Sequence, residues 1–362
     1  MRKKILIITI ILIFISLFSL NSYANSYEEI WDNLDDQTEE YLADIGIDEI
    51  SFNELFEVTP TRIIKFILEL AFEKGTYILP KIIRIIIVIV ILAICLSFLK
   101  ESNKLTDIIK NIGLLVILSF IIEPISRMLT DTVTGIKLST VFINSYLPVM
   151  TSIIVASKKP TMALTYNSFS IFLSSIISNI ADKIIIPLLG GMLSFSIISS
   201  ISYEQYQEKI LKTIRKFIVI ILSLFSTIFT GLLTTQSILS YSSDSLLIKG
   251  IKFASGTFVP IVGSGVGDAI SSIFSSFIIM KNTLGVFIII VILLINLPII
   301  IELLLWYFIL GFCSVFSSFL GIDSVTDIFE SLSSILSLMN IIMFFITFVL
   351  VISTGIIIVM GK

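Results

Sequence analysis

From residue 82 onward the chain is a succession of long apolar runs with short polar stretches between them. A membrane span needs about 20 mostly apolar residues. Ile82–Leu99, Ile112–Leu129, Ile184–Ile201, Phe217–Leu239, Leu284–Leu303 and Ile335–Met360 have that character. Val141–Ala156 and Met162–Ile180 are more polar, and Leu304–Leu320 follows its predecessor without a polar break. Phe253–Met280 is long, rich in Gly and Ser, and carries Pro260. It is read as a segment that enters the membrane and turns back. The pattern predicts an all-α, polytopic membrane protein with about 7–9 membrane segments, one of them re-entrant, and a small helical extracytoplasmic N-terminal domain.

The first residues differ in kind. Arg2, Lys3 and Lys4 precede an apolar stretch from Ile5 to Leu20, and Ser22-Tyr23-Ala24 supplies small residues for cleavage after Ala24. This is the layout of a secretory signal peptide, with an uncleaved anchor helix as the alternative. Either one sends residues 25–80 to the extracytoplasmic side. In that segment Tyr27, Ile30, Trp31, Leu34, Tyr41, Leu42 and Ile45 recur at spacings of three or four, which predicts helices with one apolar face. Ser51-Phe52-Asn53-Glu54 fits a capping box, and Thr59-Pro60 fits a helix start. That last helix is expected to end near Gly75. It lies either in the membrane interface or against the acidic segment. The domain reading is therefore a signal peptide at 1–24, an acidic helical segment at 25–80 and a transmembrane domain at 81–362.

Composition sharpens this picture. The 362 residues are 56% hydrophobic and only 14% charged, far from a soluble domain. There is no histidine, and the two cysteines, Cys95 and Cys313, each sit inside an apolar run. Histidine-dependent hydrolysis, His-ligated metals and a CxxC redox pair are thereby excluded, and no cofactor is expected. Of the 27 acidic residues, twelve precede Thr59, against three of the 24 basic ones, which leaves 15 acids and 21 bases for the membrane body. The block of strong charge is acidic, so nucleic acid is not an expected partner, whereas the lipid bilayer is.

Orientation follows from the positive-inside rule. With the N-terminal segment outside, Lys100, Lys104 and Lys110 fall inside. The second span returns outside near Asp131; if the two more polar segments both cross, Lys158-Lys159 falls inside, and the next span delivers Lys209, Lys212, Arg215 and Lys216 there. A re-entrant 253–280 then leaves Asp323–Glu330 outside and Lys362 inside, whereas a spanning one inverts both.

Candidate chemistry is sparse. Glu123, next to Pro124, and Glu302 lie within apolar runs, where a carboxylate marks a proton or substrate path, sits near an interface, or is held by a neighbouring Lys. Gly263, Gly265 and Gly267 lack the GK[ST] ending of a nucleotide loop. With Pro260 they read instead as a helix break or a close approach of helices. Asp268 begins a polar face with Ser272, Ser275 and Ser276, which lines water or packs on another helix. No set of residues forms an enzyme active site.

Four strings carry a family resemblance: Tyr146-Leu147-Pro148-Val149-Met150-Thr151, Ile186-Pro187-Leu188-Leu189, the stretch from Lys252 to Gly263, and Met280-Lys281-Asn282-Thr283-Leu284-Gly285-Val286-Phe287. In this order, after a signal sequence and a short acidic segment, they resemble the stage III sporulation protein AE family of endospore-forming bacteria. The likeness runs from about Leu138 to the C-terminus. It implies a membrane subunit of the channel, or secretion-like complex, that joins mother cell and forespore, located in the mother-cell membrane. The implied partners are the other stage III A proteins, including a secretion-type ATPase and ring-forming subunits, and the forespore stage II Q protein. The family brings no catalytic residues. The alternative function is an autonomous secondary transporter for a small molecule or ion, although a transporter more often shows two matching broken regions than the single one here.

Overall fold

A computed structural model describes residues 30–99, 104–157, 159–202, 213–225, 227, 229, 231 and 263–360. The signal sequence with Ala24, and Pro260, lie outside these residues. Every regular element among them is helical: α1 (Asp36–Asp44), α2 (Phe52–Glu57), α3 (Pro60–Ser97), α4 (Lys104–Ala156), α5 (Pro160–Ile180), a π-helical turn (Ala181–Ile185), α6 (Ile186–Ser202), α7 (Gly263–Phe319) and α8 (Asp323–Met360). Residues 213–225 are helical as well. Five helices among the described residues are long and apolar enough to cross a membrane: Pro60–Ser97, Leu105–Ala156, Pro160–Ile198, Ser275–Phe319 and Asp323–Ile356.

The N-terminal segment folds around the apolar face that its spacing predicts. Ile30, Leu42, Ile45, Ile47 and Leu55 are all buried. Asp35 caps α1 by accepting the Thr38 N–H at 3.2 Å and the Thr38 hydroxyl at 2.6 Å. Ser51 caps α2 by accepting the Glu54 N–H at 3.3 Å. The Glu54 carboxylate reaches back past Ser51 to the N–H groups of Asp48 (2.8 Å) and Glu49 (2.9 Å), a wider version of the expected box. Thr59 caps α3, with Pro60 in its first turn.

The helix expected to end near Gly75 continues to Ser97. Ending there would suit a glycine in the left-handed region, but among the described residues only Gly46 (φ 81°) and Gly321 (φ 73°) have positive φ. The interface helix and the first span are thus one element, with Pro80 inside it. The same joining occurs elsewhere. Ile112–Leu129 and Val141–Ala156 are parts of α4, which carries Pro124 and Pro148 internally. The segments 162–180 and 184–201 meet through the π-helical turn. Both parts of 284–320 belong to α7, together with residues 263–280. Gly263, Gly265 and Gly267 therefore lie in the opening turns of a continuous helix, where a break is expected from the sequence.

The long helices run antiparallel. Arg127 of α4 meets Glu302 of α7, Asn296 Nδ2 donates to Ser139 Oγ at 2.9 Å, and Met150 lies beside Gly285. At one end α7 and α8 form a tight hairpin. Gly321 takes positive φ, the Ile322 N–H donates to the Ser317 carbonyl at 3.0 Å, and the Ser317 and Thr326 hydroxyls are 2.8 Å apart. At the other end Lys281 Nζ donates to the Ile358 carbonyl at 3.4 Å.

These contacts correct the expected topology. Lys104 and Lys159 stand at opposite ends of a single helix of 53 residues, about 80 Å at 1.5 Å per residue. If α4 crosses a membrane, the two lysines fall on opposite sides of it. The α7–α8 turn lies toward the Lys104 end, and Ile358 lies toward the Lys159 end. The acidic stretch beginning at Asp323 and the end of α8 thus lie at opposite ends of the bundle.

Candidate functional site

Glu302, about two thirds of the way along α7, has only 7% of its side chain exposed. It is held by cations from two other helices. Lys74 Nζ of α3 is 3.1 Å from Oε2, and Arg127 Nη2 of α4 is 2.5 Å from Oε1. The Arg127 Nη1 also donates to the Tyr77 hydroxyl at 3.2 Å, and its Nε is 4.0 Å from Asp131. Lys81 donates to the same tyrosine at 3.3 Å and pairs with Glu123 at 3.2 Å. Both cations lie near the Tyr77 ring, at 4.6 Å (Lys81) and 5.1 Å (Arg127) from its centroid. The chain of contacts runs Glu123, Lys81, Tyr77, Arg127, Glu302, Lys74. With Asp131 it contains three acids and three bases, so it is neutral as a whole.

Local sequence explains how the elements present these groups. Lys74, Tyr77 and Lys81 are spaced by three and four residues, so they share one face of α3. Glu123, Arg127 and Asp131 repeat every four residues and share one face of α4. Where α3 and α4 pack, the two rows meet, and α7 closes the row with Glu302. Above this belt lies a cavity of about 190 Å³ lined by Asp35, Tyr41, Lys74, Asp131, Pro298 and Glu302, between the N-terminal segment and the bundle. Burial raises the Tyr41 phenol above its ordinary pKa, against the lowering effect of Gln37, whose amide donates to the Tyr41 hydroxyl at 2.6 Å.

Of the residues singled out from sequence, Glu123 and Glu302 are thus drawn into one network. Each has a lysine within 3.2 Å of its carboxylate. Gly263, Gly265, Gly267 and Asp268 are not part of it, since Asp268 is 34 residues from Glu302 along one helix, about 51 Å. Sequence reasoning missed Lys74, Tyr77, Arg127 and Asp131. The four-residue repeat through Glu123, Arg127 and Asp131 was a legible signal. A second polar contact, Lys137 with Asp182 at 2.9 Å, ties α4 to the π-helical turn. Among the described residues no group of His, Cys, Asp and Glu is arranged to hold a metal ion.

Glu302 of α7 is bound by Lys74 of α3 and Arg127 of α4, so the network fastens three helices to one another.

Comparison with known proteins adds a family. The family model described as stage III sporulation protein AE matches residues 46–361. The protein named stage III sporulation protein AE of Bacillus subtilis (strain 168) is 22% identical over 209 residues. That stretch covers 57% of this chain and 52% of the relative, so the chain spans about half the length of the curated relative it matches. No solved structure matches.

Proposed function

We propose a function from one premise: this chain belongs to the stage III sporulation protein AE family. It acts in endospore formation as a multi-pass membrane subunit of the channel, or secretion-like complex, between mother cell and forespore. It does so in the mother-cell membrane, with its N-terminal segment extracytoplasmic. The observation that carries this reading is the match over residues 46–361, which takes in the acidic segment from Gly46 as well as all five membrane-length helices. Glu302 and Glu123 are each held by cations from neighbouring helices, an arrangement that fits the fastening of helices in a subunit of a larger complex.

The partners are the other stage III A proteins, including the secretion-type ATPase and the ring-forming subunits, with the forespore stage II Q protein beyond them. The test is purification of the tagged chain from sporulating cells in mild detergent, with late forespore gene expression followed in the same strain. Co-purification of the other stage III A proteins, and loss of that expression on deletion, is the expected result. A chain that purifies alone and whose deletion leaves late expression normal overturns the proposal.

A further inference from the structure

The bundle is far longer than a bilayer is thick. A hydrocarbon core of about 30 Å matches some 20 helical residues. Yet α4 has 53 and α7 has 57, and both are apolar along most of their length. Two observations decide which part meets lipid.

The first is the charged belt. Between the Lys104 end of the bundle and the belt of Lys81, Glu123, Arg127 and Glu302, α4 contributes residues 105–122 and α7 contributes residues 303–319. These are about 27 and 26 Å of helix, close to one hydrocarbon core. Within this half Ile83, Ile87, Ile91, Ile94, Phe308 and Phe312 are exposed. The other half also exposes apolar side chains, Leu68, Phe72 and Leu164 among them, so it is the length from belt to end that matches a hydrocarbon core.

The second is the position of the acidic segment. Trp31 stacks on Phe287 with ring centroids 5.9 Å apart, and Asp35 and Tyr41 share a cavity with Leu294 and Pro298. The segment thus lies along α7 from about 287 to 298, on the far side of the belt. Its Asp32, Asp36, Glu39, Glu40, Asp44 and Asp48 are exposed. Exposed carboxylates cannot reside at hydrocarbon depth without partners. The part of α7 beside them is therefore outside the hydrocarbon too. Its apolar residues have another use, since Phe287, Ile288, Val291 and Ile292 are fully buried within the bundle.

We propose that lipid covers only the half of the bundle between the Lys104 end and the charged belt, and that the other half of the same helices stands in the aqueous phase beside the N-terminal segment. This rests on reading the chain as a multi-pass membrane protein, but not on the channel. Residues 128–156 of α4, about 43 Å of helix, then form an extramembrane stalk together with α5 and the matching parts of α7 and α8.

The test uses the full chain reconstituted into phosphatidylcholine–phosphatidylglycerol bilayers, with Cys95 and Cys313 replaced by Ser. Single cysteines carrying nitroxide labels are placed at Ile87, Ile91 and Phe312 in the lipid half. Val141, Leu164 and Phe172, which are exposed apolar side chains, report on the other half. Relative collision with oxygen and with a neutral nickel chelate reads hydrocarbon directly. The first three labels favour oxygen several-fold, and the second three do not. In a second measurement, Trp306→Phe leaves Trp31 as the sole tryptophan, and its emission is unaffected by lipids brominated in the tails. Oxygen preference at Val141, Leu164 and Phe172, or quenching of Trp31, overturns the proposal and leaves the membrane reading intact. Oxygen preference at none of the six positions overturns both.

Discussion

Glu302 shows how much a single buried charge decides here. Removing one member of a buried ion pair costs about 3–5 kcal/mol, because it strands the other charge. Lys74 and Arg127 keep some exposure, so the lower end of that range applies to Glu302→Gln. An exposed pair on the same helix as Lys74 provides the contrast. Lys65 and Glu69 are 3.3 Å apart but 73% and 64% exposed, and such a pair contributes about 0.3–0.5 kcal/mol. Glu302→Gln is therefore expected to lower the unfolding temperature in detergent markedly, whereas Glu69→Gln leaves it almost unchanged. Equal small shifts would show that the clamp is not needed for stability. At this scale the sequence was half legible. The two acids stood out because they interrupt apolar runs, and the rows on α3 and α4 were readable as helical spacing. The meeting of Arg127 with Glu302, 175 residues apart, depends on how α4 and α7 pack, which no local pattern encodes.

Helix boundaries were less legible than helices. Polar interruptions and prolines marked plausible ends of spans, but a helix inside a bundle tolerates them where neighbours and side-chain hydroxyls satisfy the backbone. Pro124 and Pro148 accordingly lie inside α4, and Pro80 inside α3, without ending the helix. Glycine gives a test with opposite signs at two positions. Gly75 is helical with nothing within 4 Å of where a Cβ would sit, so Gly75→Ala is expected to stabilise by about 0.5–1 kcal/mol. Gly321 has φ 73° in the α7–α8 turn, so Gly321→Ala is expected to destabilise by about 1 kcal/mol or more. Thermal or denaturant unfolding of the two variants measures both signs. A loss of stability for Gly75→Ala would restore the expected helix end there.

At the scale of the molecule, hydropathy misleads for a definite reason. A helix buried in a long bundle and a helix crossing lipid are both apolar over many residues, and periodicity alone does not separate them. The window of α3 that is apolar enough to span is mostly open to its surroundings, whereas two thirds of the corresponding window of α7 is buried inside the protein. Five membrane-length helices stand among the described residues, while the expected segments at 217–239 and 253–280 fall partly outside them.

The antiparallel register makes a sharp statement about sides. The α7–α8 turn belongs to the Lys104 end. The end of α8, with Ile358 bonded to Lys281, belongs to the end that carries the Ala156–Pro160 corner. A cysteine replacing Ser324, just after the turn, is expected to resist an impermeant maleimide applied from the side of the N-terminal segment, in a background lacking Cys95 and Cys313. A tag appended after Lys362 is expected to be digested by protease from that same side. The helix at 213–225 advances past α8 from Arg215 opposite Ser337 to Phe225 opposite Phe345, that is, away from the turn. Arg215 and Lys216, in its first turn, thus lie toward the Lys104 end, where the positive-inside rule places cytoplasm. Labelling of Ser324→Cys from the N-terminal side, together with a protected tag, would mean that α8 inserts the other way up, and the antiparallel register of α4, α7 and α8 could not then hold.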